Sequence, residues 1–239
     1  MVDDDSPQTS TVEKLEDILR YGIVDDLFHL EEARALIDFI STNAETINDA
    51  SYGQFFGNLQ VILGRFIVLQ TAKLYEEPDR RYKTRNILSA VNLMVSTSQD
   101  LELRNKNGLI RSLDKLGCKT KTISAYSDEK LTKHTANIFK DLIQQHKTNI
   151  REIMIVRNKL VAHPEAIKKR DFEVSYVAIE SLSKLAIDFV SAVGFAYFNI
   201  VYEDDSDYGF FKTDASRSAF CLKRLLQKAG VLEAPDYNI

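Results

Sequence analysis

Three side chains in one short stretch have types that suit phosphate chemistry. Arg157, Asn158 and His163 fall within Ile150–Pro164, a helical pattern that ends at a proline. Arginine is a permanent cation whose planar donor fork matches phosphate oxygens. Histidine titrates near neutral pH and can take or give a proton. An amide at Asn158 can bind a ligand or orient a neighbour. RNA brings its own nucleophile, the 2′-hydroxyl. A base for that proton and a cation for the charge building on phosphorus therefore suffice for cleavage. The same three residues can equally form an ordinary helix end.

Geometry constrains the first reading. Six residues separate Arg157 from His163, about 240° around a regular α-helix. The two side chains share no face if the helix simply continues. Either the helix ends at His163, where Pro164 pushes the preceding residue out of the α region, or a second protomer brings its own pair across a symmetric interface.

The surroundings are basic in an acidic protein. The 239-residue chain carries 31 basic and 35 acidic residues, for a net charge of −4. That excludes a globally basic nucleic-acid binder and leaves only a local patch. Residues 151–170 supply one. Arg151, Arg157, Lys159, Lys168, Lys169 and Arg170 stand against Glu152 and Glu165, six cations less two anions, an excess of four. These cations are candidates for phosphate binding, although a basic run near a helix C-terminus also satisfies the helix dipole.

The other chemistry-bearing residues are weaker. His29, His134 and His146 lack metal-ligand spacing and read as surface or packing residues. Cys118 and Cys221 form no CxxC pair, which fits a reducing compartment. Gly53, Gly57 and Gly64 belong to no phosphate-binding loop pattern. Ser124–Ser127 lacks the glycines of a nucleophile elbow. Glu203–Asp207 lacks calcium-loop spacing. No metal and no cofactor is expected.

The elements that position the candidate residues read as helices. Glycine and proline are scarce, at 9 and 4, and tryptophan is absent, so long segments run without punctuation. Residues 1–10 read as a mobile acidic tail and 11–239 as a single domain. A short helix from Thr11 precedes a second starting at Asp25 or Asp26. A third, about Tyr52 to Glu76, is apolar over more than one face. A fourth spans about Arg80 to Ser96, and a fifth about Leu101 to Leu116. Gly117–Ser127 reads as a loop. The longest pattern, about Asp128 to Ala162, carries a break near His146–Asn149. It is followed by helices over about Asp171–Tyr202 and Asp214–Ala229, the last closed by Gly230. The apolar window Leu185–Val201 contains Asp188 and Asn199 and reads as a buried helix rather than a membrane span. The acidic N-terminus lacks the apolar core of a signal peptide, so a cytoplasmic protein with no membrane segment is expected. No strand pattern occurs, and the fold class is an all-α antiparallel bundle.

Arg157-Asn158-Lys159-Leu160-Val161-Ala162-His163 matches the R-x(4–6)-H motif, with a polar residue after the arginine, of HEPN domains. The chain resembles their abortive-infection AbiU-like branch over roughly residues 25–200. A long apolar helix running into Tyr75 and Glu76-Glu77-Pro78-Asp79 comes first, and the Arg-Asn-Lys-…-Ala-His stretch follows later. The resemblance implies a HEPN-like bundle with extra terminal helices. It implies a homodimer with two motifs facing one cleft, and metal-independent cleavage of RNA in phage defence or a toxin–antitoxin system, with an antitoxin protein as a further partner. Arg157 would stabilise the scissile phosphate, His163 would be the general acid/base, and Asn158 would orient substrate or histidine. Some HEPN domains are inactive, so a non-catalytic module binding a nucleotide or a partner protein is the competing implication.

Overall fold

A computed structural model describes residues 9–78, 81–162, 169–202 and 210–233. The described residues are all-α, with no strand. Helices α1 (Thr11–Ile18), α2 (Asp25–Thr42), α3 (Ala44–Asp49), α4 (Gly53–Tyr75), α5 (Ile87–Ser96) and α6 (Lys106–Lys115) come first. Helices α7 (Thr120–Ile123), α8 (Asp128–Gln145), α9 (Lys147–Ala162), α10 (Lys169–Phe198) and α11 (Phe210–Lys228) follow. The expected tail at residues 1–10 falls almost entirely outside the described residues, as do Glu203–Asp207, His163, Pro164 and Lys168.

The chain packs as two compact units. The first comprises Met1–Asp25, Leu74–Lys147 and Leu185–Tyr202; the second comprises Asp26–Lys73, Thr148–Lys184 and Glu203–Ile239.

In the first unit α1 opens with a capping box. The Ser10 hydroxyl accepts from the Glu13 backbone N–H, and Glu13 Oε2 accepts from the Ser10 backbone N–H at 2.8 Å. No turn separates α1 from α2. A π-helical segment, Leu19–Val24, joins them instead, and it keeps Leu19, Gly22 and Ile23 on the buried side. Helix α5 starts at Ile87, the first of its inward apolar residues, rather than at about Arg80. The reason is Asn86, which is extended (φ −136°, ψ 175°). Its side chain accepts from the Ser89 N–H and donates to the Glu76 carbonyl. The expected loop at 117–127 contains the single turn α7. Ile87, Ala90, Val91 and Met94 are buried, as are Leu131, Thr135, Phe139 and Ile143 of α8, and α5 packs on α8. Within α10, Leu185, Phe189, Val193 and Tyr197 are buried too. The apolar window at 185–201 is thus largely helix interior. The hydroxyls of Tyr197 and Thr132 share a buried 2.7 Å hydrogen bond.

One glycine there has a specific reason. Gly22 lies so close to Arg85 that an added Cβ would overlap the Arg85 carbonyl oxygen and Cβ. Arg85 itself is held by a two-pronged ion pair to Asp17, with both contacts at 3.0 Å. Helix propensity favours alanine over glycine by about 1 kcal/mol. The clash is with backbone and costs about 1–3 kcal/mol. Gly22→Ala is therefore expected to lower stability in urea denaturation; a gain would show that the Arg85 segment yields freely.

The second unit has its own core. Ile40 and Ile47 pack with Phe56 of α4 and Leu226 and Val231 at the chain's end, flanked by Leu59, Leu63 and Leu222. Gly230 adopts φ +72° and closes α11, with the Val231 N–H donating to the Leu226 carbonyl at 2.9 Å. Lys73 Nζ lies 2.7 Å from buried Asp26, joining α4 to α2.

Candidate functional site

Helix α9 belongs to the second unit from Thr148 onward. The long helical pattern breaks where its register does. His146 sits at φ −88°, ψ 9°, and its backbone N–H reaches back to the Leu142 and Ile143 carbonyls. Helix α9 then restarts at Lys147 and runs to Ala162, the residue before His163.

Three apolar residues set the orientation of α9. Ile153, Val156 and Leu160 are buried and define its inner face. Asn149 lies on the same side, and its Nδ2 donates to Ser181 Oγ of α10 at 2.8 Å. Asn149 is a positioning residue that the sequence pattern does not single out. The only signal is a polar residue four positions ahead of Ile153, on the face that must be buried.

That register sorts the candidates. Arg151, Ile155 and Asn158 recur at spacings of four and three and share the outward face, where all three are exposed. Ile155 is 47% exposed, an apolar side chain standing between a cation and an amide. Lys159 is exposed at the edge of the same face. Arg157 is about 100° around from both Val156 and Asn158, on the rim of the buried side. It is half-buried, and its Nη2 donates to Met154 Sδ at 3.5 Å. The helix therefore gathers Arg151 and Asn158, with Lys159 beside them. It does not put Arg157 and Asn158 on one line, although they are adjacent in sequence.

His163 and Lys168 lie outside the described residues. Lys169 and Arg170 fall in the first turn of α10. Among the described residues no group of three His, Cys, Asp or Glu side chains is placed to hold a metal ion.

The span of the chain that is similar to known sequences covers both units. The model of the HEPN AbiU2 family, described as AbiU2, matches residues 13–219. The chain belongs to that family. Within the AbiU2 match lie the whole Arg157–His163 stretch, most of α1 and the first half of α11. No curated protein and no solved structure matches the chain.

Proposed function

We propose that this AbiU2-family protein is a metal-independent endoribonuclease of phage defence or a toxin–antitoxin system, acting in the cytoplasm as a homodimer. The observation that carries the reading is the Arg157-Asn158-…-His163 motif inside a family match that covers most of the chain. Pro164 supports it, because a proline pushes the residue before it out of the α region.

The chemistry needs few parts. His163 takes the proton of the 2′-hydroxyl, and that oxygen bonds to the adjacent phosphorus. The bond from phosphorus to the 5′-oxygen breaks, and that oxygen takes up a proton. Arg157 neutralises the non-bridging oxygens as charge builds on them. One imidazole cannot stand on both sides of an in-line displacement, so the partner's His163 is the natural acid. The products are a 2′,3′-cyclic phosphate and a 5′-hydroxyl. Arg151, Lys159, Lys168, Lys169 and Arg170 would follow the strand backbone, and Asn158 would orient substrate. An antitoxin protein covering this face would hold the activity in check.

The test is cleavage of single-stranded RNA with EDTA present, comparing wild type with His163→Ala and analysing the product ends. Cyclic phosphate from wild type, and a loss of about two orders of magnitude or more in the variant, are expected. Undiminished cleavage by His163→Ala would remove the assignment. One observation favours a second reading, a non-catalytic module that binds a nucleotide or partner protein. Arg157 is half-buried against Met154 rather than fully presented to solvent. That reading predicts no cleavage and a thermal shift with nucleotide.

A further inference from the structure

Helix α11 has two faces of unlike composition. Ala215, Ser218, Leu222 and Leu226 recur at helical spacing along the inner one. Ala215 and Leu226 are buried, and Leu222 and Leu226 pack with Ile40 and Phe56. Ser218 Oγ hydrogen-bonds Glu32 of α2. On the opposite side stand Arg217, Phe220, Cys221, Arg224 and Lys228, within about 100° of one another around the axis. All five are exposed. Exposed Lys223 lies at one margin of this face and exposed Leu225 at the other. From 215 to 232 the sequence holds four cations and no acidic residue, in a chain of net charge −4. Phe220 and the cations after it lie beyond residue 219, where the AbiU2 match ends.

We infer that this outer face of α11 is a second contact surface for single-stranded RNA. Arg217, Arg224 and Lys228 bind phosphates, and the Phe220 ring stacks under a base. The inference rests on the nuclease reading above for the choice of RNA as the strand. The surface itself stands on charge and on one exposed ring.

Sites for single strands combine a cationic track with an aromatic side chain on which a base can lie. Helix α11 supplies both within one turn. The Arg224 guanidinium lies 5.9 Å from the centroid of the Phe220 ring, and that ring is 59% exposed. A guanidinium held against a ring keeps its edge donors for phosphate oxygens. Arg217, Arg224 and Lys228 follow one another over about 16 Å of helix, a track rather than a point. Arg217 shares a 3.0 Å ion pair with Asp214 one turn back. The span after it contains no anion, so Arg224 and Lys228 carry most of the attraction.

Other occupants fit less well. A helix that lies on a membrane inserts a whole apolar face, and the apolar face of α11 is already spent in the core. A protein interface buries a centre poor in charge, whereas here cations enclose the ring.

The experiment uses the full chain carrying His163→Ala, so that the strand is not cut. Fluorescence anisotropy follows a labelled, unstructured RNA of about 20 nucleotides in EDTA over a salt series. Phe220→Ala is expected to weaken binding about fivefold or more. Arg224→Ala/Lys228→Ala should lower the slope of log affinity against log salt by about 1.4, two contacts at about 0.7 each. Lys14→Ala, an exposed cation of α1, should change neither. In a Cys118→Ser background, saturating RNA should slow maleimide labelling of Cys221 at least about fivefold, because that thiol is exposed within the face. The substituted side chains point to solvent, and thermal melts check that each variant folds. Arg224→Lys, which keeps the charge, should retain the salt slope.

Binding indifferent to Phe220→Ala or to the double variant, an equal loss in Lys14→Ala, or a Cys221 left unprotected by RNA would each overturn the surface. So would phosphatidylglycerol vesicles or polyglutamate held through Phe220 as tightly as RNA. Binding that depends on α11, in a wild type that cleaves no RNA, would keep the surface and remove the nuclease reading. Cleavage abolished by His163→Ala, with binding indifferent to α11, would keep the nuclease and remove the surface.

Discussion

Arg157→Ala is expected to lower RNA cleavage by at least about a hundredfold, on the scale of removing one preorganised donor from an oxyanion site. Arg157→Lys should recover only part of it. Lysine restores the charge but not the planar fork that grips two phosphate oxygens at once. The position of Arg157 on α9 makes the comparison informative. Its Nη2 contacts Met154 Sδ at 3.5 Å, and the side chain is half-buried on the rim of the inner face. Substitution can therefore disturb packing as well as chemistry. If Arg157 acts on phosphate, cleavage falls far more than the melting temperature does, and lysine rescues in proportion to charge. If it is a structural residue, the melting temperature falls, and cleavage per folded molecule stays within about threefold of wild type. Steady-state cleavage of an RNA oligonucleotide in EDTA, measured beside thermal melts of the three proteins, separates the two.

The neighbours of Arg157 show which parts of such a site can be read from a sequence. The extent of α9 is partly legible there. Pro164 disfavours helix at the residue before it for a steric reason that needs no tertiary context, and α9 is described as far as Ala162. The interruption at His146 also shows, as a break in the apolar rhythm. The facing of the site follows less directly. Adjacent letters, Arg157 and Asn158, point about 100° apart, and only the burial of Ile153, Val156 and Leu160 says which of them meets solvent. Elsewhere propensity was overruled by side-chain hydrogen bonds. Asn86 starts α5 late because its amide binds both Ser89 and Glu76, a long-range contact invisible to periodicity. A π-helical segment at Leu19–Val24 joins α1 to α2 without a turn, and within it Gly22 lies against Arg85, a contact that periodicity does not show. Helix α4 reads as apolar on more than one face from composition alone. That one of those faces stays uncovered is knowledge only the packed chain supplies.

Phe139→Ala is expected to cost about 3–5 kcal/mol, the range for truncating a buried aromatic. Phe139 is wholly buried on α8. Its ring meets that of Phe189 of α10 edge to face, with centroids 5.0 Å apart and planes at 88°. That geometry adds about 0.5–1.5 kcal/mol beyond area alone. The site is poorly able to collapse. Leu131 and Thr135 precede it on the same helix, both buried. The nearby Tyr197–Thr132 hydrogen bond holds α10 to α8 at a fixed separation. A cavity left by the lost ring therefore keeps most of its volume. Phe139→Leu should cost roughly half as much, because it leaves a smaller void. Urea denaturation followed by circular dichroism measures both, and a loss below about 1 kcal/mol for the alanine variant would mean that α8 and α10 close over the gap. The variant also completes the test of Arg157. Phe139 belongs to the first unit and Arg157 to the second. Phe139→Ala should lower the melting temperature while leaving cleavage per folded molecule near wild type. Arg157→Ala should do the reverse. Two substitutions with opposite signatures distinguish a residue that holds the bundle from one that acts on phosphate.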